Sequence, residues 1–420
     1  MATPSSINDR IYRSYVETTR GDELEYSQRV TFNDGMQTDS FGRVRVSLPN
    51  VVYDNYEIQG KKDLVWNELS VNGGLATHIT NQSCIAFDTT AASGCKMTRS
   101  SKKLTLYTPG TSILVFLTGV MGVGANNSRQ RMGIFNANNG VFFEQKDKVM
   151  GVVIRSNTSG SVTNNRIERS DWNIDPCDGT GLSGVNLDFT KTQIFVIDLE
   201  WLGVGRVRMG FVHEGKFLLC HEFMHNNQLT TVYMKSAILP ITYEVENTAA
   251  STALGDFRQI CSSVIIEGQE TVSKIPRTVN NGVTARNTTT TTGIPLVSLR
   301  LQTANVGQTM VKPTDITVLS VGNRDHVYEI HYGGTLESAS WVNNVGFSAY
   351  DVSATHITGS TKIATLYTAS NLRAGVADIF KNLLWLSGDL SGNPESISVV
   401  ARSIGGGGTA LAGIDYEEFG

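Results

Sequence analysis

One string in this sequence matches a zinc-hydrolase motif letter for letter: His221-Glu222-Phe223-Met224-His225. That chemistry needs both histidines on one face of a helix, with the glutamate beside the metal as general base. Here Lys216-Phe217-Leu218-Leu219-Cys220 follows a glycine turn and reads as strand, and Asn226-Asn227 break the segment afterwards. In a strand, residues four apart share a face but stand ~13 Å apart at ~3.3 Å per residue, too far for one ion. No downstream motif supplies a third ligand. A strand end is expected, and no metal site.

Other strings invite chemistry and meet similar objections. Asp171-Trp172-Asn173-Ile174-Asp175, followed by Asp178-Gly179, begins like a calcium loop. Pro176 stands where an EF-hand needs glycine, and Leu182 where it needs glutamate, so an Asx-rich turn is the simpler reading. A lectin-like calcium in the Asp171–Asp178 loop is the alternative. Asp198 and Glu200 alternate on one strand, as a pair of glycan-cleaving acids would, but two carboxylates in that spacing also describe a solvated face. Gly119 to Gly124 (GVMGVG) lacks phosphate-loop spacing and reads as a loop between strands. Trp66, Trp172 and Trp201 could stack on sugar rings, although core packing is the better reading for most of them. Cys84, Cys95, Cys177, Cys220 and Cys261 form no CxxC pair and are expected as small buried residues. No catalytic, cofactor-binding or metal residue is assigned, and no cofactor is expected.

Any such residue would be positioned by strands. Charged residues are 18% of the 420, against a usual ~25%, and the chain is rich in Thr, Ser, Asn and Gly. Acidic and basic residues are well mixed at a net charge of −4, which argues against a dedicated nucleic-acid binder. No apolar run is long enough to span a membrane, and the first residues do not resemble a signal peptide, so assembly in a cytoplasm is expected.

Residues 1–48 are expected as a polar arm with one short strand, FGRVRVS. Residues 49–275 carry about eleven strand candidates bounded by turn residues, the pattern of an antiparallel sandwich or jelly roll. They are QSCIAFDT, KKLTLYT, SILVFLTGVM, QRMGIFN, GVFFEQ, KVMGVVIRS, TQIFVIDLEWLG, GRVRMGFVHEG, KFLLCHEF, TTVYMKS and PITYEVEN. Asn138-Asn139-Gly140 predicts a hairpin, and Trp201 to Gly205 a turn between the central strands Ile194 to Asp198 and Val207 to Phe211. Residues 276–295 read as a Thr-rich linker, 296–404 as a smaller β-rich domain with one helix at 375–388, and 405–420 as a Gly-rich acidic tail. The fold class is therefore all-β: a large antiparallel β-sandwich, jelly-roll or concanavalin-like, followed by a smaller β-rich domain.

The segment Thr38-Asp39-Ser40-Phe41-Gly42-Arg43-Val44-Arg45-Val46-Ser47 resembles a DxFGRxRVS signature near the start of virion structural proteins of large, often marine, tailed phages. The resemblance continues at Trp66-Asn67-Glu68, Gly73-Gly74, Tyr107 to Gly110, Arg129 to Gly133, Asn139 to Phe143, Ile194 to Asp198, Trp201 to Val207 and Leu239 to Glu244. It covers roughly residues 38–270. It implies a non-enzymatic virion component, tail-associated as a fibre, fibre adaptor or outer tail protein, forming a symmetric oligomer. A capsid-surface decoration or head-fibre protein is the alternative. The partners implied are other copies of the chain and neighbouring virion proteins, with a host surface glycan as a further candidate and neither nucleic acid nor membrane. The expected location is the virion.

Overall fold

Alternating apolar positions drive two sheets face to face. The computed structural model describes residues 14–20, 23–29, 38–39, 45, 49–267, 274–376 and 385–419. Residues 49–267 form the large sandwich. Its seven-stranded sheet runs in the order Thr163–Glu168, Val149–Ser156, Gly140–Lys146, Ser128–Phe135, Ile241–Asn247, Lys96–Ser101 and Trp66–Val71. The eight-stranded sheet runs Lys216–Phe223, Val207–His213, Gln193–Leu199, Ile113–Val120, Phe257–Glu267, Cys84–Asp88 and Leu75–Ile79. Its eighth strand, Pro49–Tyr56, pairs with the far half of Phe257–Glu267. Ile113, Val115 and Leu117 point inward beside Phe195, Ile197, Met209 and Phe211, and all are buried. Each such side chain contributes about 1.5–3 kcal/mol of transfer free energy. The expected hairpin is present, with Ile194 opposite Val212 and Leu199 opposite Val207.

The second sandwich is smaller. A five-stranded sheet places Gly408–Phe419 between Lys274–Asn280 and Met310–Val321, with Arg373–Val376 outermost and Arg286–Thr288 also against Gly408–Phe419. A six-stranded sheet runs Val342–Asn343, Ser348–Asp351, Ile294–Leu301, Ser396–Ser403, His326–Tyr332 and Thr361–Thr368. Leu299, Val318, Tyr328, Val399, Ile414 and Tyr416 meet between them.

Several expectations are corrected. The acidic tail is a twelve-residue strand with neighbours on both sides, because Ala410, Ala412, Ile414 and Tyr416 alternate into the core. The linker region contains Lys274–Asn280 and Arg286–Thr288, both held by that same strand. KKLTLYT and TTVYMKS are not strands; Thr105 makes only an isolated bridge to Leu239. The expected helix lies mostly outside the described residues, and its first two positions, Gly375 and Val376, end a strand. The arm contains a hairpin, Ser14–Arg20 with Glu23–Arg29, described by its backbone alone. The FGRVRVS strand lies outside the described residues apart from Arg45.

KKLTLYT has another role. Leu104 and Leu106 pack with Met310 and Phe419, flanked by Ile238 and Trp385, and join the two sandwiches. Lys102 reaches Glu395 at 2.6 Å, and Asn67 Nδ2 donates to Gly388 O at 2.8 Å across the same joint.

Candidate functional site

The residues singled out in the sequence do not converge. His221 lies within Lys216–Phe223 and His225 just beyond its end, so the zinc motif spans a strand terminus. His221 Nδ1 accepts the Asn173 N–H at 3.2 Å, and burial pulls its imidazole down to about 4. His225 stacks on Tyr233 at 4.0 Å between ring centroids. Among the described residues, no three His, Cys, Asp or Glu side chains group as metal ligands would.

The Asp171–Asp178 loop is closed by its own hydrogen bonds. Asp175 accepts from the Cys177 and Ser183 amides at 2.7 and 2.8 Å, and Asp178 accepts from Thr180. Trp66 and Trp172 are core residues, and Trp201 packs against the same core while its Nε1–H donates to Met234 O. Trp66 and Trp172 are thereby closed to a sugar, and Trp201 is partly buried. In the Gly119–Gly124 loop, Val123 N–H donates to Asp256 Oδ2 at 2.7 Å, and a side chain at Gly122 would overlap that carboxylate. Four of the five cysteines are buried as expected; Cys261 is exposed.

Asp198 and Glu200 are both fully buried rather than solvated. Asp198 accepts from Ser112 Oγ at 2.6 Å, pairs with Arg208, and takes Arg45 Nη2 at 2.8 Å. Arg45 also holds Glu267 at 3.0 Å and donates to Thr38 O. A carboxylate clamped by two guanidinium groups anchors Arg45 of the DxFGRxRVS segment.

An organised polar feature lies elsewhere, on the outer face of the seven-stranded sheet. A cleft of ≈ 660 Å³ opens there, walled on one side by the 136–139 turn and on the other by loops 306–308 and 387–392 of the small sandwich. Its floor follows from strand register. Arg131 stands opposite both Glu144 and Glu244 on flanking strands. Arg131 Nε meets Glu144 at 2.8 Å, and its Nη1 meets Glu244 at 2.5 Å. Lys96 holds the other Glu244 oxygen at 2.6 Å, and Arg166 the other Glu144 oxygen at 2.8 Å. Burial alone would raise the Glu244 carboxyl; Arg131 and then Lys96 reverse this and hold it at about 2.

At the end nearer the joint, two glycines permit close packing. Phe135 and Phe142 pack at 4.6 Å beside Val153. An added Cβ at Gly133 would lie 2.5 Å from Phe142 Cβ. Arg155 lies over both rings, 5.0 Å from Phe142 and 5.5 Å from Phe135. Its Nε donates to Asn164 Oδ1 and its Nη1 to Asn136 O. Sequence reading missed this site. The available signal was the alternation of Arg129 and Arg131 with Glu144, Glu244 and Glu246 on strands already recognised, but pairing order was needed to bring them together.

No protein-family model and no curated protein matches the sequence. Solved structures align with about half of it. A Shewanella oneidensis MR-1 protein of unknown function aligns at 8% identity, over 55% of this chain and 92% of that one, with a TM-score of 0.35. The carbohydrate recognition domain of Emp46p aligns at 10% identity over 50% and 95%, TM-score 0.32. The CBM2 module of the evolved Dit of Lactobacillus casei BL23 phage J-1 aligns at 8% over 53% and 99%, TM-score 0.35. At such scores nothing about ligand, activity or assembly carries over.

Proposed function

We propose that this chain is a non-enzymatic structural component of a tailed-phage virion, tail-associated as a fibre, fibre adaptor or outer tail protein, and that it works as a symmetric oligomer. The observation behind this reading is the work done by the residues that carry the family resemblance. Trp66 fills the core, Asn67 ties the two sandwiches together, and Glu68 pairs with buried Arg99. Tyr107 packs edge-on against Trp201 and accepts the Leu202 N–H. Arg131 and Glu244 lock three strands, and Asp198 clamps Arg45 of the signature itself. Each of these positions holds a frame.

An apolar cluster on the outer face of the eight-stranded sheet also favours packing against neighbours. Phe116, Val212, Phe217, Leu219 and Ile265 lie partly buried there around Leu114 and Val196. The test is gold-labelled antibody, raised against the purified chain, applied to intact particles from an infected culture. Label on tails is expected. Label on heads would replace the tail assignment with capsid decoration, and label on neither would overturn the virion reading.

A further inference from the structure

The cleft holds polar groups that its own walls leave incompletely served. Arg155 is 8% exposed, yet among the described residues no carboxylate lies within salt-bridge distance of it. Its two hydrogen bonds go to a carboxamide oxygen and a backbone carbonyl. Burial, and next the neighbouring Arg131, pull its pKa downward, so its charge is held at a cost. Asn157 Oδ1, at the same end, is buried without a donor, and Arg129 Nε, towards the other end, without an acceptor. The cleft is lined by five cations, Lys96, Arg129, Arg131, Arg155 and Lys235, against three carboxylates, Glu244, Glu246 and Asp389. Lys96 and Arg131 are spent on Glu244, and Arg129 reaches Glu246 only at 4.0 Å.

We infer that this cleft binds an acidic oligosaccharide, with a sugar carboxylate on Arg155 and sugar hydroxyls on Asn138 and Asn157 beside it. The lining chemistry selects this class. Ser100, Thr242 and Asn136 bond within the fold, which leaves, among the described residues, the Asn138 Nδ2 donor and the Asn157 Oδ1 acceptor beside Arg155 for a pair of sugar hydroxyls. The volume falls within the ~300–1,000 Å³ of small-molecule sites. Arg155 sits across the sheet from Phe135, through Gly140, and Arg129 is six residues along that strand, about 20 Å at ~3.3 Å per residue. That span suits several linked sugars rather than one. The small positive excess suits scattered carboxylates better than a continuous phosphate backbone, which calls for a denser row of cations. The inference does not depend on where the protein sits in a particle.

The test is isothermal titration calorimetry of the full chain with tetragalacturonate, tetramannuronate and sialyllactose. The methyl ester of tetragalacturonate, lactose, sodium acetate and hexaglutamate serve as comparisons. At least one acidic saccharide should bind, with its uncharged counterpart at least tenfold weaker and acetate undetectable. Arg155→Gln should weaken that binding at least tenfold. If Arg155→Gln fails to fold, Lys235→Glu at the exposed rim decides, with a several-fold loss expected. Binding of none of the three, equal binding of the uncharged form, equal binding of hexaglutamate, or unchanged affinity in the deciding variant would each overturn the inference.

Discussion

Replacing Glu244 by Gln removes the central carboxylate of the ladder while keeping its shape. In the folded protein this carboxyl sits at about 2, below the ~4.3 of an unfolded glutamate. At about 1.4 kcal/mol per pKa unit, the difference corresponds to roughly 3 kcal/mol of stability at neutral pH. Arg131 keeps Glu144 at 2.8 Å in the variant, so the loss belongs at the lower end of the ~3–5 kcal/mol for breaking a buried ion pair. Because the folded carboxyl titrates below the unfolded one, this stability is complete above about pH 4.5 and is lost as pH falls towards 2. Urea unfolding at several pH values, followed by tryptophan fluorescence from Trp66, Trp172 and Trp201 in the large core, measures it. The wild type should exceed E244Q by roughly 3 kcal/mol at pH 7, and the gap should close progressively below pH 4.5. No gap at pH 7, or one that stays constant from pH 7 to pH 3, would refute the reasoning.

Four further outcomes are expected. His221, held at about 4 against ~6.5 unfolded, resists protonation in the fold, so stability should fall by up to roughly 3 kcal/mol as pH drops from 6.5 to 4; a His221→Gln variant that keeps the same slope would remove His221 as its source. Native protein should expose one thiol, Cys261, to an aromatic disulfide reagent, with all five reacting after unfolding, since the other four are buried and Cys177 is pushed up to about 12; rapid reaction of two or more native thiols would contradict the packing. Phe419→Ala should cost about 3–5 kcal/mol, because the ring is 1% exposed in the joint and 4.9 Å from Trp385. Removal of residues 405–420 should leave the small sandwich open to limited proteolysis while residues 49–267 resist it; equal resistance of both would argue against the strand.

What was legible in the sequence was whatever two-residue periodicity and turn chemistry carry unaided. Ile194–Asp198 and Val207–Phe211 declared both their strands and their pairing, because a short turn leaves little choice of partner. Phe257–Glu267 did not, although it pairs with three other strands in the eight-stranded sheet. Arg258, Gln259, Ser262 and Ser263 interrupt its apolar residues, and their environment is set by neighbours distant in sequence. The final strand was masked by composition: glycines and acids suggest a tail, whereas Ile414, Tyr416 and Phe419 are buried by segments from more than one part of the chain. His-Glu-x-x-His was read correctly as a strand end because the glycine turn before Lys216 and Asn226-Asn227 after His225 bound the strand on both sides. The cleft was invisible for the opposite reason. Its members lie on the 96–101, 128–135, 140–146, 149–156 and 241–247 strands, and only sheet order makes them neighbours.

The ladder and the Asp198 clamp place similar chemistry on opposite outer faces, and apolar side chains could supply comparable stability at either. A buried ion pair gains little over apolar side chains of the same volume, because desolvation offsets most of the attraction. The eight-stranded sheet shows the cheaper solution on its own outer face, where Leu114 and Val196 are buried among apolar neighbours. At the ladder and at the clamp the charges do something further. Asp198 takes one guanidinium group from Arg208 and one from Arg45 of the DxFGRxRVS segment, so it ties Arg45 to the sandwich. Arg131 bridges carboxylates on two adjoining strands, and a one-residue slip of either strand would turn that strand's charges to the apolar interior. The ladder therefore holds the cleft floor in a single register, and Arg155, two strands away, stays aimed at the opening.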